Sequence, residues 1–223
     1  MNSPHPALEF VQPGQVLGLG TGRAAAAFIR ALGEAVQGGL SIRGVPTSKA
    51  SAELATSLGI PLVSLDDVDS LDVAFDGSDE VDPNLDLIKG RGGALVREKI
   101  VAAAAKKFVV LVGEDKLVAT LGEHGALPVE VVPFALGFCQ RKLKALGCDP
   151  EPRKAADGSL YITDNGNPIL DCHIAALADP SGLERSILEL PGVVDTGLFL
   201  GLADVVIVGD DGSSARVLRR AAR

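Results

Sequence analysis

The chain has 223 residues, is 47% hydrophobic and carries a formal charge of −8 from 21 basic and 29 acidic side chains. That length suits one large α/β domain or a large domain plus a small one, and the scattered acids read as a solvated surface, not as disorder. Net acidity without a basic stripe argues against a nucleic-acid partner. No apolar run approaches the roughly 18 uncharged residues of a membrane span, which argues against a membrane partner. Met1 to Glu9 shows neither a basic nor an apolar leader region, so no signal peptide is read there. Cys139, Cys148 and Cys172 are odd in number and lack metal-pair spacing. They are expected to be reduced thiols in a cytoplasmic protein.

Apolar runs alternate with helical patterns along the first half. Residues 15–20 predict a short buried strand opening on glycines, and 23–37 a helix with alanines for close packing. A strand is expected over 40–45, ending in Pro46-Thr-Ser48, then a helix over 49–58 ended by Gly59 and a strand over 61–64. A clear strand follows at 71–76, a helix at 93–107 and a strand at 108–112. This cadence predicts an α/β fold, a parallel sheet with helices on both faces. In such sheets ligands sit beyond the carboxyl ends of the strands. Gly20-Thr-Gly22, Thr47-Ser48 and Asp76-Gly-Ser-Asp79 fall at such ends.

The cadence changes after Leu121. Residues 128–133 read as a proline-bounded strand and 135–146 as a helix. Residues 160–163 lead to a turn at Asp164-Asn-Gly-Asn167, then a strand over 169–173 and a helix over 184–189. A smaller α+β domain is therefore expected over 127–194, with 1–126 and 195–223 forming the α/β domain. Residues 203–209 read as a strand returning to the first sheet. The last segment, with Arg216, Arg219, Arg220 and Arg223, is expected to be a surface helix end.

Gly18-Leu-Gly20-Thr-Gly22-Arg23 is a strand–glycine loop–helix junction, which presents free N–H groups and the positive end of a helix dipole to an anion. A dinucleotide needs a third glycine where Arg23 stands, and an acid where the second strand ends in Pro46-Thr-Ser48. A small phosphate or sugar phosphate is the favoured ligand over a dinucleotide or a plain tight turn. Thr21 offers a hydroxyl to it and Arg23 a planar fork. Asp76 and Asp79 read as a metal site, as acceptors for sugar hydroxyls or as a solvated turn. The neighbouring lysine already supplies positive charge, which disfavours the metal.

Glu98 falls on a helical wheel among Ala94, Leu95, Val101, Ala102 and Ala105. Desolvation there would raise its pKa toward the range of a general base. The plainer reading pairs it with Arg97, Lys99 or a sheet-side cation. Lys89 leads the glycines 90, 92 and 93 into that helix. Lys116 follows the strand at 108–112 and is either a phosphate or sugar contact or a solvated lysine. His5, His124 and His173 share no constellation with a serine or cysteine, so a nucleophilic triad has no support.

Taken in order, Gly18-Leu-Gly-Thr-Gly22, Asp76-Gly-Ser-Asp-Glu80, Lys89-Gly-Arg-Gly-Gly-Ala94, Arg97-Glu-Lys-Ile-Val101, Pro128-Val-Glu-Val-Val-Pro133, Thr163-Asp-Asn-Gly-Asn167 and Pro191 to Phe199 resemble ribose-5-phosphate isomerases of the A type. The resemblance implies a Rossmann-like, mostly parallel sheet with a smaller α+β domain inserted before the last strand. It implies interconversion of ribose 5-phosphate and ribulose 5-phosphate with no metal or organic cofactor. A sugar phosphate is the implied small-molecule partner and a homodimer or higher homo-oligomer the implied assembly. The family's proton-transferring glutamate falls on Glu98, with Asp76 and Lys89 beside it in catalysis. Its substrate contacts fall on Thr21, Gly22, Arg23 and Ala24, on Asp76, Gly77, Ser78 and Asp79, on Lys89, Gly90, Arg91 and Gly92, and on Lys116.

Two departures are local. The family usually has Ser-Thr where this chain has Arg23-Ala24, and those hydroxyls help hold phosphate. It also usually opens with a longer basic helix bearing a lysine near the phosphate, whereas here Arg23 is the first basic residue. Arg23 is expected to replace both with one charge-assisted fork. The competing readings are a sugar-phosphate sensor without catalysis, a transferase using a glutamate as acyl nucleophile, and a nicotinamide-dependent dehydrogenase. The sensor usually needs an amino-terminal DNA-binding domain, for which no room is read before the first strand.

Overall fold

The computed structural model describes residues 5–209 and 215–220. In chain order the elements are β1 Val16–Leu19, α1 Arg23–Gln37, β2 Arg43–Pro46, α2 Lys49–Ser57, β3 Val73–Gly77, β4 Glu80–Val81, β5 Leu87–Ile88 and α3 Leu95–Ala104. They continue with β6 Phe108–Val112, β7 Ala126–Val131, α4 Leu136–Ala145, β8 Asp149–Pro152, β9 Ile169–His173, α5 Pro180–Leu188, β10 Val193–Thr196, β11 Leu198–Phe199, β12 Val205–Val208 and β13 Arg216–Arg219. The contacts cluster into two compact units. One holds Met1–Ser78, Arg97–Lys116 and Leu202–Arg223; the other holds Asp79–Val96 and Leu117–Gly201.

The first unit is built on a six-stranded sheet ordered β13-β12-β6-β3-β1-β2. Every neighbouring pair is parallel except β12–β13. Ala25, Phe28, Ile29 and Leu32 are buried at helical spacing on α1. Phe28, Ile29 and Leu32 belong to the core that includes Leu17, Leu19, Phe75, Val109 and Ile207 of the sheet. The Phe28 and Phe75 rings stack with centroids 4.1 Å apart. Truncating either to alanine would cost about 3–5 kcal/mol. Gly18 faces the other side, where an added Cβ would run into Val101 Cγ1 of α3 and lie 2.8 Å from Ala74 Cβ. Helices therefore cover both faces of a mostly parallel sheet, as the alternating pattern predicts.

Two expectations are corrected in this unit. Residues 61–64 shrink to a single parallel bridge, Leu62 with Gly44, because the Ser64 hydroxyl caps the next turn through the Asp66 N–H. The arginine-rich end is a strand, not a helix end: Arg216–Arg219 pairs antiparallel with Val205–Val208. Four residues are too few to nucleate a helix, while the open edge of β12 offers a full row of bonds. Arg216 also meets Glu114 at 3.1 Å. Arg223 lies outside the described residues.

The second unit carries an antiparallel sheet ordered β10-β7-β9-β8 and a three-stranded sheet ordered β11-β5-β4. Leu127, Val129, Val131, Leu143, Leu170, Ile187 and all three cysteines fill its core; the cysteines are free thiols. The opposite face of β7 presents Pro128 and Glu130. This unit takes in residues 79–96, 117–126 and 195–201, which the sequence pattern groups with the larger domain. Strand pairing is the cause: β5 bonds to both β4 and β11, and Val81 bridges Leu117.

Candidate active site

In the first unit β1 runs into Gly20-Thr21-Gly22 and then α1. Gly22 adopts φ 103°, a backbone conformation natural to glycine, and caps α1 without a side-chain hydrogen bond. The first N–H groups of α1, beginning at Arg23 and Ala24, thus meet no capping side chain from Gly22. Arg23 is exposed. The Thr21 hydroxyl turns inward onto Thr47 Oγ1 (2.7 Å) and Ser48 Oγ (2.8 Å), and Ser51 Oγ donates to the Gly20 carbonyl at 2.6 Å. Sequence reading placed Thr47 and Ser48 at a strand end but passed over Ser51. Its signal was its position three residues after the capping Ser48, a local pattern that by itself says nothing of Gly20.

Asp76 is the penultimate residue of β3 on the same sheet and is 2% exposed. Its Oδ1 accepts the N–H of Thr21 at 3.0 Å and of Gly77 at 2.8 Å. A side chain at Gly20 would collide with the Asp76 carboxyl group and lie 2.6 Å from the Phe75 carbonyl. Gly77 and Ser78 continue this end of the unit, half-buried. Glu98, in the first turn of α3, is 3% exposed, alongside buried Leu95, Val101 and Ala102. Burial on the apolar arc of the wheel matches the expectation. Lys116 is half-buried and pairs with its neighbour Asp115 at 3.1 Å.

The second unit holds Asp79 and the lysine–glycine loop. Lys89 is 3% exposed, its N–H bonded to the Gly197 carbonyl (2.9 Å) and its ammonium 5.4 Å from the Phe199 ring centroid. Asp79 Oδ2 accepts the Arg91 N–H at 3.0 Å, and Arg91 Nη2 donates to the His124 carbonyl at 2.6 Å. Glu80, 1% exposed, fixes that segment by accepting the N–H of Gly122 (2.6 Å) and of His124 (2.8 Å). Gly90 and Gly93 have φ of 112° and 79°. A Cβ on Gly93 would strike the Tyr161 hydroxyl. Burial pushes the Tyr161 hydroxyl above its usual pKa, against the pull of Arg153. Gly92 is exposed in this loop.

Buried carboxylates and a glycine-loop helix start at the ends of parallel strands mark an α/β enzyme for small anionic substrates. The sequence profile of ribose 5-phosphate isomerase A (phosphoriboisomerase A) matches residues 43–213. Ribose-5-phosphate isomerase A of Parvibaculum lavamentivorans is 52% identical over 211 residues, 92% of this chain and 91% of that protein. The ribose 5-phosphate isomerase A structure from Methanocaldococcus jannaschii superposes with a TM-score of 0.90 at 44% identity, covering 96% of this chain and 94% of that one. A D-ribose-5-phosphate isomerase solved in complex with phospho-erythronic acid gives 0.91 at 44% identity, with the same coverage of both chains. The chain belongs to the ribose 5-phosphate isomerase A family. It is an aldose–ketose isomerase of carbohydrate metabolism, interconverting ribose 5-phosphate and ribulose 5-phosphate in the pentose phosphate pathway.

Proposed function

We propose that Glu98 carries the proton in this reaction. The carboxylate takes the C2 proton of the open-chain aldose, and the C–H electron pair becomes the C1=C2 bond of an enediolate with negative charge on O1. The same carboxyl returns the proton to C1, while the O2 hydroxyl proton passes to O1 and C2 becomes the ketone. Lys89 and the N–H groups of Gly90 and Gly92 in its glycine loop stabilise the oxyanion. Asp76 and Asp79 hold substrate hydroxyls and assist ring opening, with Gly77 and Ser78 as backbone contacts. Thr21 to Ala24 receive the phosphate at the start of α1, with Arg23 adding a charged fork, and Lys116 makes a further contact. No metal or organic cofactor enters this scheme.

The observation that carries the reading is the burial of Glu98, 3% exposed in a helix whose adjoining face is apolar. A desolvated carboxylate is a stronger base than one in water. A phosphorylated aldonic acid, the kind of ligand held by the relative, carries a planar anionic carboxylate like the enediolate, and the proposal expects this chain to bind one too. The test is turnover of ribose 5-phosphate in heavy water with a chelator present, wild type against Glu98→Gln. Deuterium should enter at carbon in the wild type, independently of metal, and kcat should fall by about 10²–10⁴ in the variant. Turnover surviving in Glu98→Gln would move the base elsewhere.

The reading extends to a cytoplasmic homo-oligomer. No described helix is long and apolar enough to cross a membrane. On the second unit Val132, Phe134 and Phe138 are exposed, Phe134 wholly so, an apolar surface that a second copy could cover.

A further inference from the structure

Within the second unit, we infer that Arg153 is a positioning residue: it clamps the peptide groups of the Lys89-Gly90-Arg91-Gly92 loop so that the loop amides are set for the developing oxyanion. Arg153 Nη1 donates to the carbonyls of Gly90 (2.8 Å) and Arg91 (3.2 Å). The guanidinium is itself bolted to β9, since Nε donates to Asp171 Oδ2 at 2.8 Å and Nη2 to Oδ1 at 2.5 Å. Its side chain is 12% exposed and that of Asp171 25%. The backbone beneath is fixed as well, for the Arg153 N–H bonds to the Ile169 carbonyl at 2.9 Å.

The Gly90–Arg91 peptide is held at both ends. Arg153 takes its carbonyl, and Asp79 Oδ2 takes its N–H at 3.0 Å. In the next peptide Arg153 takes the Arg91 carbonyl. A trans peptide is planar, so the Gly92 N–H points away from the guanidinium. A cation on a carbonyl also polarises the amide it belongs to, strengthening the N–H as a donor. Tyr161 lies under Gly93 and beside the guanidinium, which is 5.8 Å from its ring centroid. The loop thus rests on a rigid platform, which preorganised charge stabilisation requires.

This inference rests on the proposed role of the glycine loop in binding substrate. Its test compares Arg153→Ala and Arg153→Lys with Glu98→Gln. Arg153→Ala should lose about tenfold to hundredfold in kcat/KM. Guanidinium at non-denaturing concentration should restore part of it, entering by the cavity of about 440 Å³ that Arg153 and Asp171 line. Arg153→Lys keeps the charge but not the fork. It should weaken inhibition by a phosphorylated aldonic acid about tenfold while KM moves far less. Equal losses for inhibitor and substrate, or a lowered melting temperature with kcat/KM and inhibition unchanged, would overturn the inference. Should Arg153→Ala not fold, the Arg153→Lys comparison decides alone. Active Glu98→Gln would strike the reaction scheme instead, whereas inactive Glu98→Gln beside wild-type behaviour in both Arg153 variants would strike only the clamp.

Discussion

The backbone N–H of Thr21 donates to Asp76 Oδ1 at 3.0 Å, so the end of β3 pins the loop that follows β1. This contact exists because Gly20 has no side chain, since a Cβ there would occupy the place of the Asp76 carboxyl group. Gly20→Ala should therefore displace Asp76 and loosen Thr21 together. A misplacement on the order of 1 Å is enough to lower kcat about 10²-fold, with an overpacking penalty of about 1–3 kcal/mol. Steady-state kinetics and a thermal melt check both; a variant with wild-type kcat would remove Asp76 from the reaction.

Arg23 is exposed at the first turn of α1, where hydroxyls would stand in the usual family pattern. If it holds phosphate by a charge-assisted fork, Arg23→Ala should raise KM for ribose 5-phosphate about 10- to 100-fold with kcat little changed, since hydrogen bonds to charged groups are worth about 1.5–3 kcal/mol. KM should also become less sensitive to salt in the variant. An unaltered KM would leave phosphate binding to the backbone of α1 alone.

Legibility in the sequence followed element length and burial. β1, β6 and β12 are wholly buried strands, four or five residues long, of almost unbroken apolar residues, and they read directly. β4, β5 and β11 are two residues each, below any period, and their pairing moved residues 79–96 into the second unit. β8 reads Asp-Pro-Glu-Pro, a composition that opposes a strand, and it survives as the edge beside β9. α5 starts at Pro180 under an Asp179 cap, four residues ahead of the expected 184, because proline is accommodated in the first turn of a helix, where its missing N–H costs no bond. At the candidate site the burial of Glu98 is visible on a helical wheel. The grip of Arg153 on Gly90 spans 63 residues and depends on the inserted sheet, which local patterning does not encode.

Asp72 joins the loop before β3 to the start of β1 and to the end of α3's following segment. Its carboxylate accepts Lys106 Nζ at 2.9 Å and the Val16 N–H at 2.9 Å. The Lys106 hydrogen bond foremost, then that of Val16, holds its pKa below the ordinary 3.8, with burial opposing weakly. A depressed folded value gives stability that is complete above the ordinary carboxyl pKa and is lost as pH falls through the folded one. Wild type should exceed Asp72→Asn in urea midpoint at neutral pH, and the gap should close in acid below the ordinary pKa. The ion-pair share is at most about 1 kcal/mol, because Lys106 is exposed. A gap that persists unchanged into acid would show that packing, not ionisation, accounts for it.

Glu130 organises the turn that the sequence predicts at 164–167, together with Thr163 just before it. It is fully buried on the polar face of β7, and its Oε1 accepts from Thr163 Oγ1 (3.1 Å), Asn165 Nδ2 (3.1 Å) and Asn167 Nδ2 (2.9 Å). Its Oε2 has no hydrogen-bond partner among the described residues. One oxygen thus gathers three donors from a turn, while the other bears a desolvation cost that only those bonds offset. Glu130→Ala would strand the donors together, at about 1–3 kcal/mol for each that stays buried without a partner. The melting temperature should fall by roughly 2–4 °C per kcal/mol. Proteolysis should begin within 161–167, since the turn loses the acceptor that gathers the side chains of Thr163, Asn165 and Asn167. Glu130→Gln keeps an acceptor at Oε1 and should recover most of the loss. Equal destabilisation by both variants would mean that the carboxylate's charge, not its geometry, holds the turn.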